Sequence, residues 1–176
     1  HAGQKEFGEN KVQELVQKAE DLPNDIIWHM IGHLQTNKVK FIAPFVSLIH
    51  AVDSIKLLKE INKRAEQNNR VIDCLLQVHI ATESTKFGFD IFDVEQTIAI
   101  AKEFLNIKIV GLMGMATFTN NKQQVIQEFK SLKVVFDTVK NRDITILSMG
   151  MSGDYQLAIE QGSNMVRVGS AIFGHR

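Results

Sequence analysis

Between Lys5 and Val168 the sequence switches repeatedly from a short strand-like segment to a stretch with helical spacing. The strand-like segments are Lys5–Gly8, Ile26–Gly32, Val46–Val52, Val71–Ile80, Ile107–Met115, Ile144–Met149 and Met165–Val168. Most are apolar along their length rather than at alternate positions, which marks strands covered on both faces. The intervening stretches place apolar residues on one helical face. Val12, Leu15, Val16 and Ala19 do so within Asn10–Ala19, where Glu14 and Lys18 form an i,i+4 pair. Asn10 with Gln13 resembles a capping box. Thr36–Ala43 is a short helix, and Ile55–Gln67 is one capped by Asp53 or Ser54. After a polar loop, Thr82–Gly88, the residues Val94, Ile98, Ala101 and Leu105 keep helical spacing. Val125, Phe129, Leu132, Phe136 and Val139 do the same over about Asn121–Asn141.

Strands and helices in strict alternation predict an α/β fold with a parallel sheet. An open doubly wound sheet is one form of it, but no G-x-G-x-x-G turn follows the first strand. The pattern favours a (β/α)8 TIM-type barrel. Seven strands are visible where such a barrel needs eight. His1-Ala2-Gly3 reads as the end of a helix, so the missing βα unit is expected upstream. With two prolines and no Gly/Ser-rich linker, residues 1–176 read as a single domain. Twenty basic and twenty acidic side chains cancel, which removes the electrostatic case for nucleic acid or an anionic membrane. No apolar run is long enough to span a bilayer. The single cysteine, Cys74, excludes an internal disulfide and fits a reducing compartment; no Cys/His cluster has zinc-ligand spacing.

The last two units carry the chemistry. Ile144–Met149 runs into Gly150, Met151 and Ser152; Met165–Val168 runs into Gly169 and Ser170. Each is a strand, a glycine turn and a helix start. Helix starts offer unpaired N–H groups and partial positive charge, so both corners suit a phosphate. In a barrel the loops after the last two strands build such a site. Ser152 is by type a helix N-cap or an anion ligand, and the two readings are compatible. Arg167 interrupts an apolar strand two residues before its end. Alternation points it away from Val166 and Val168, into the barrel mouth or toward a core carboxylate. Asn10 ends the first strand, where it caps a helix or meets a ligand. His29 reads as a satisfied core histidine. Met113 and Met115 read as core packing or as contacts to an aromatic ring. His79 and Lys86 flank a loop, and spacing gives neither a role.

The segments G-E-N-K-V-Q-E-L at 8–15, W-H-M-I-G-H-L-Q-T-N-K at 28–38, G-L-M-G-M-A at 111–116, S-M-G-M-S-G-D at 148–154 and V-R-V-G-S-A-I-F-G at 166–174 together resemble the pyridoxal-phosphate homeostasis protein family. The match runs the visible length in order. That family looks like the barrel domain of alanine racemases without their second domain. The resemblance implies a cytoplasmic carrier of pyridoxal 5'-phosphate (PLP) that serves vitamin B6 homeostasis without turnover. It also implies a monomer or weak homodimer, with PLP-dependent apo-enzymes as partners. By motif, Ser152, Gly169 and Ser170 would hold the phosphate, Arg167 would face the pyridine nitrogen, and Asn10 would lie beside the ring. The family's cofactor-attaching lysine sits on a strand upstream of G-E-N; Lys5, Lys38 and Lys86 do not match it. Ser170 stands where threonine is common, which keeps the hydroxyl.

Three other functions compete. A racemase of this fold needs bases on both faces of the cofactor, commonly Lys and Tyr, and the only tyrosine, Tyr155, falls in the helix after Ser152. A phosphate-handling isomerase would need a strand-end acid/base pair, and none stands out. A vestigial barrel that serves only as an interaction module would not bind PLP.

Overall fold

The computed structural model describes residues 3–82 and 87–174. Its seven strands are β1 (Glu6–Glu9), β2 (Ile27–Met30), β3 (Leu48–Val52), β4 (Ile72–Val78), β5 (Ile107–Gly114), β6 (Ile146–Met151) and β7 (Met165–Arg167). The helices are α1 (Val12–Asp21), α2 (Val39–Ile42), α3 (Ile55–Gln67), α4 (Val94–Ala101), α5 (Lys122–Val139), α6 (Tyr155–Glu160) and α7 (Ser170–Phe173). Short 3-10 turns, Thr36–Lys38 and Ile91–Asp93, precede α2 and α4.

Every strand pairs in parallel with its sequence neighbours, in the order β1 to β7. A doubly wound sheet would reverse direction partway through that order; this one does not. The described strands therefore make a nearly closed barrel with helices outside.

Two apolar layers follow from the alternation of side chains across a strand. On β4, Ile72, Cys74, Leu76 and Val78 pack outward, against helices that supply Leu58, Ile61, Ala65, Phe129 and Leu132. Leu75 points the other way, into a smaller inner cluster with Leu48, Ala51, Val110 and Met113. Met115, Ile146 and Met165 close that inner layer. Burying each Leu or Ile side chain is worth roughly 1.5–3 kcal/mol, so the helix layer is the larger source of stability.

Helix starts follow the sequence in part. Ser54 caps α3 by accepting from the Leu57 N–H at 3.3 Å, and Asn121 caps α5 by accepting from Gln124. The Asn10–Gln13 capping box does not form. Position N-cap of α1 falls on Lys11, with no side-chain cap bond. Lys18, in the last turn of α1, forms an ion pair with Glu9 at the end of β1 and ties the helix to that strand. Leu105 is also not on a helix. After Ala101 the backbone tightens to i→i−3 bonds, which turns Phe104 onto the core and leaves Leu105 84% exposed. No helix among the described residues is long and apolar enough to cross a membrane.

Candidate functional site

The site is assembled from the corners after β6 and β7. Gly150 takes φ +96°, and a side chain there would also meet Ala158 Cβ at 2.5 Å. This lets the chain turn sharply into the loop before α6. Asp154 fixes the turn: its carboxylate accepts from the Met151 N–H at 2.6 Å, and its own N–H donates to the Met151 carbonyl at 3.1 Å.

Asp154, not Ser152, occupies the N-cap position of α6, and no side chain caps that helix. Two further loop residues separate Ser152 from the helix, so its hydroxyl turns to the other corner. Ser152 Oγ accepts from the Gly169 N–H at 3.0 Å and the Ala171 N–H at 3.3 Å. Gly169 in turn is the N-cap of α7. The two glycine corners thus converge on one oxygen. Beside it, a Cβ at Gly153 or Gly169 would meet nothing within 4 Å, so open space lies over both. Ser170 is exposed next to them.

Arg167 ends β7 and lies inside the barrel. Its Nη1 donates to the Ser148 carbonyl at 3.0 Å and to Ser148 Oγ at 2.6 Å, while Nη2 donates to the Gly114 carbonyl at 3.1 Å. Among the described residues no carboxylate forms an ion pair with it; these bonds replace that partner. A guanidinium has five N–H donors, and three are used, which leaves the Nε hydrogen and one Nη2 hydrogen for a ligand. Burial pulls its pKa down to about 10, partly opposed by the Asp154 charge. It stays cationic at neutral pH.

The interior continues in Ser148 and His50, neither marked by the sequence pattern, and in His29. Ser148 Oγ lies 3.2 Å from His50 Nδ1, and His50 Nε2 lies 3.2 Å from His29 Nδ1. Burial holds both imidazoles below their ordinary pKa; Arg167 and His29 push His50 further the same way, while Glu6 opposes this for His29. His29 is thus the satisfied core histidine that its apolar strand suggests. Ser163 was also unmarked. Its buried hydroxyl accepts from the Met149 N–H and lies within bonding distance of the Leu147, Met149 and Met165 carbonyls. With Asn164, whose amide bonds Leu147 N–H and the Thr145 carbonyl, it braces β6 against β7. Ser and Asn just before a strand read as turn residues in sequence, which hides that use.

The remaining candidates scatter. Asn10 is exposed in the loop after β1, with its backbone packed so close to Gly32 that a Cβ on Gly32 would sit 2.3 Å from the Asn10 carbonyl oxygen. Its side chain caps nothing. Met113 is buried in the inner cluster, and Met115 packs against it. Lys5 pairs with Asp25 at 3.0 Å on the surface, and Lys38 lies near the Phe41 ring. Lys86 lies outside the described residues. At the barrel rim His33 Nδ1 pairs with Asp53 at 3.1 Å and stacks on Phe87. No group of three metal-ligating side chains occurs among the described residues.

Comparison with known proteins extends this picture. The model of the alanine racemase N-terminal domain family matches residues 1–176. The pyridoxal phosphate homeostasis protein of Aquifex aeolicus is 41% identical over 180 residues, covering 100% of this chain and 79% of its own. PipY of Synechococcus elongatus, solved with PLP bound, superposes with a TM-score of 0.86 at 31% identity, covering 98% of this chain and 83% of PipY. An alanine racemase of Clostridium difficile superposes over 98% of this chain and 44% of its own with a TM-score of 0.75 at 14% identity, a likeness of fold alone.

Proposed function

The chain belongs to the pyridoxal phosphate homeostasis proteins, within the alanine racemase N-terminal domain family, and from that premise we propose that it binds PLP and keeps it available without turning over a substrate. The observation that carries the reading is the convergence of the two corners on Ser152 Oγ, with Arg167 at the end of β7, two residues before Gly169. A hydroxyl oxygen that already draws two backbone N–H groups marks a position where an anionic oxygen is well received. In this reading Ser152, Gly169 and Ser170 hold the phosphate, and Arg167 directs a spare N–H at the ring nitrogen. Asn10, with its side chain uncommitted, lies beside the ring.

When bound, PLP supplies an aldehyde on an electron-withdrawing ring. A guanidinium against the ring nitrogen disfavours its protonation and so weakens that withdrawal, which suits storage better than carbanion chemistry. Dispensing PLP to apo-enzymes, as a monomer or weak homodimer in the cytoplasm, completes the proposal.

Equilibrium dialysis of PLP against the chain tests it, because dialysis registers binding whether or not a covalent bond forms. Saturable uptake at one site is expected. No uptake, or racemisation of alanine by the loaded protein, would overturn it.

A further inference from the structure

Ser148 is fully buried, and its one hydroxyl hydrogen must find an acceptor. The Ser148 oxygen already accepts from Arg167 Nη1 at 2.6 Å. Among the described residues its only other side-chain partner is His50 Nδ1 at 3.2 Å. If His50 carried its hydrogen on Nδ1, the Ser148 hydrogen would have nowhere to go, at a cost of about 1–3 kcal/mol. The hydroxyl therefore donates to His50 Nδ1. His50 must then carry its hydrogen on Nε2, which points at His29 Nδ1, 3.2 Å away. His29 Nδ1 is in turn an acceptor, so its hydrogen sits on Nε2.

We propose that Ser148, His50 and His29 form a one-directional hydrogen-bond chain that positions the Arg167 guanidinium, with both histidines in their Nε2–H tautomers. The chain crosses the barrel from β7 through β6 and β3 to β2. It rests on the reading of Arg167 as the cation at the cofactor ring. Reversing any one bond would orphan a buried hydrogen, so the direction is fixed along its length. The desolvation of His50, reinforced by the Arg167 charge, keeps that ring neutral and the chain intact. Ser148 and His50 are positioning residues: neither needs to touch a ligand. By engaging one edge of the guanidinium at Ser148 and Gly114, they set which N–H groups remain free.

Nitrogen-15 NMR of the histidine rings in the chain without cofactor tests the direction. Both His50 and His29 are expected to be protonated at Nε2 and bare at Nδ1 at neutral pH. Either ring found protonated at Nδ1 would overturn the proposal, and this holds even if no variant folds. In Ser148→Ala the His50 signals should move toward a mixed tautomer population, and PLP added to that variant should bind about tenfold more weakly with a shifted absorbance. Unchanged tautomers and an unchanged PLP spectrum would sink it. Absence of PLP binding by the parent chain, with both tautomers as assigned, would remove the cofactor reading and leave the chain standing.

Discussion

The hydroxyl oxygen of Ser152 lies 3.0 Å from the backbone nitrogen of Gly169, although seventeen residues separate them. One side chain thereby ties the end of β6 to the start of α7. The two corners are a single unit, and a change at Ser152 is felt at both.

Ser152→Ala removes the oxygen on which the Gly169 and Ala171 N–H groups converge. The bonds are solvent-accessible, so the stability loss should be small, about 0.5–1 kcal/mol. The loss of PLP affinity should be larger, on the order of tenfold, because the corners lose their link and the ligand loses a donor. Thermal melts and equilibrium dialysis read the two separately. Equal affinity in the variant would remove Ser152 from the phosphate site.

Arg167→Ala strands more. Ser148 Oγ and the carbonyls of Ser148 and Gly114 all lose a donor in the barrel interior. A destabilisation of about 1–3 kcal/mol is expected. PLP retention should fall and its absorbance should shift, since the cation beside the ring is gone. Arg167→Lys should recover little, because an ammonium cannot serve three divergent acceptors from one plane. Urea titration with absorbance spectroscopy checks both; a variant with parental spectrum and affinity would contradict the assignment.

Much of the fold could be read from the sequence. Helical faces such as Leu58, Ile61 and Ala65 on α3 stand out against polar neighbours, and the strict β–α alternation sets the parallel sheet. What could not be read was which face of a strand looks inward. All five residues of β3 are buried, so His50 gives no periodic sign that it faces the barrel interior while Ile49 and Val52 face helices. Arg167 was visible because a cation in an apolar run is rare. Its partner Ser148 was not, since a buried serine in a strand has no local signature. Leu105 failed for a different reason. Helical spacing continued past the point where the backbone tightened, and Phe104, one residue earlier, took the inward place.

Glu128 is the one buried carboxylate on α5, among apolar neighbours in register. Burial raises its pKa, but bonds from the Thr117 N–H at 2.6 Å, the Thr117 hydroxyl and Gln124 outweigh this and leave it below its ordinary value. It pins the loop after β5 to the helix. Glu128→Gln places an amide NH2 where only acceptors fit, and should cost about 2 kcal/mol. Hydrogen exchange should show the Thr117 amide losing protection. Retained protection there would mean that the loop is held by something else.

Cys74 is fully buried, and burial pushes its thiol pKa up. A neutral, inaccessible thiol is a poor nucleophile. A thiol-reactive dye should label the folded chain only at the rate of global unfolding and label it at once in denaturant. Fast labelling under native conditions would place the β4 packing in error.

The interior histidines set how stability responds to acid. His50 titrates well below its ordinary 6.5 in the folded barrel, through burial first, then Arg167 and His29; His29 is lowered by burial, with Glu6 opposing. In the unfolded chain both regain ordinary values. Above about pH 6.5 both states hold these rings neutral, and they leave stability unchanged with pH. Below it the unfolded chain takes up protons that the folded one refuses, so stability falls progressively until the folded rings titrate. Glu128 adds to the loss at lower pH, since its folded pKa is depressed below 4.5 and its contribution disappears as protonation passes through that value. Melts from about pH 8 to about pH 5 should therefore show a plateau and then a decline. His50→Asn should flatten the decline while lowering the plateau. A parental decline that survives in that variant would assign the acid sensitivity to other groups.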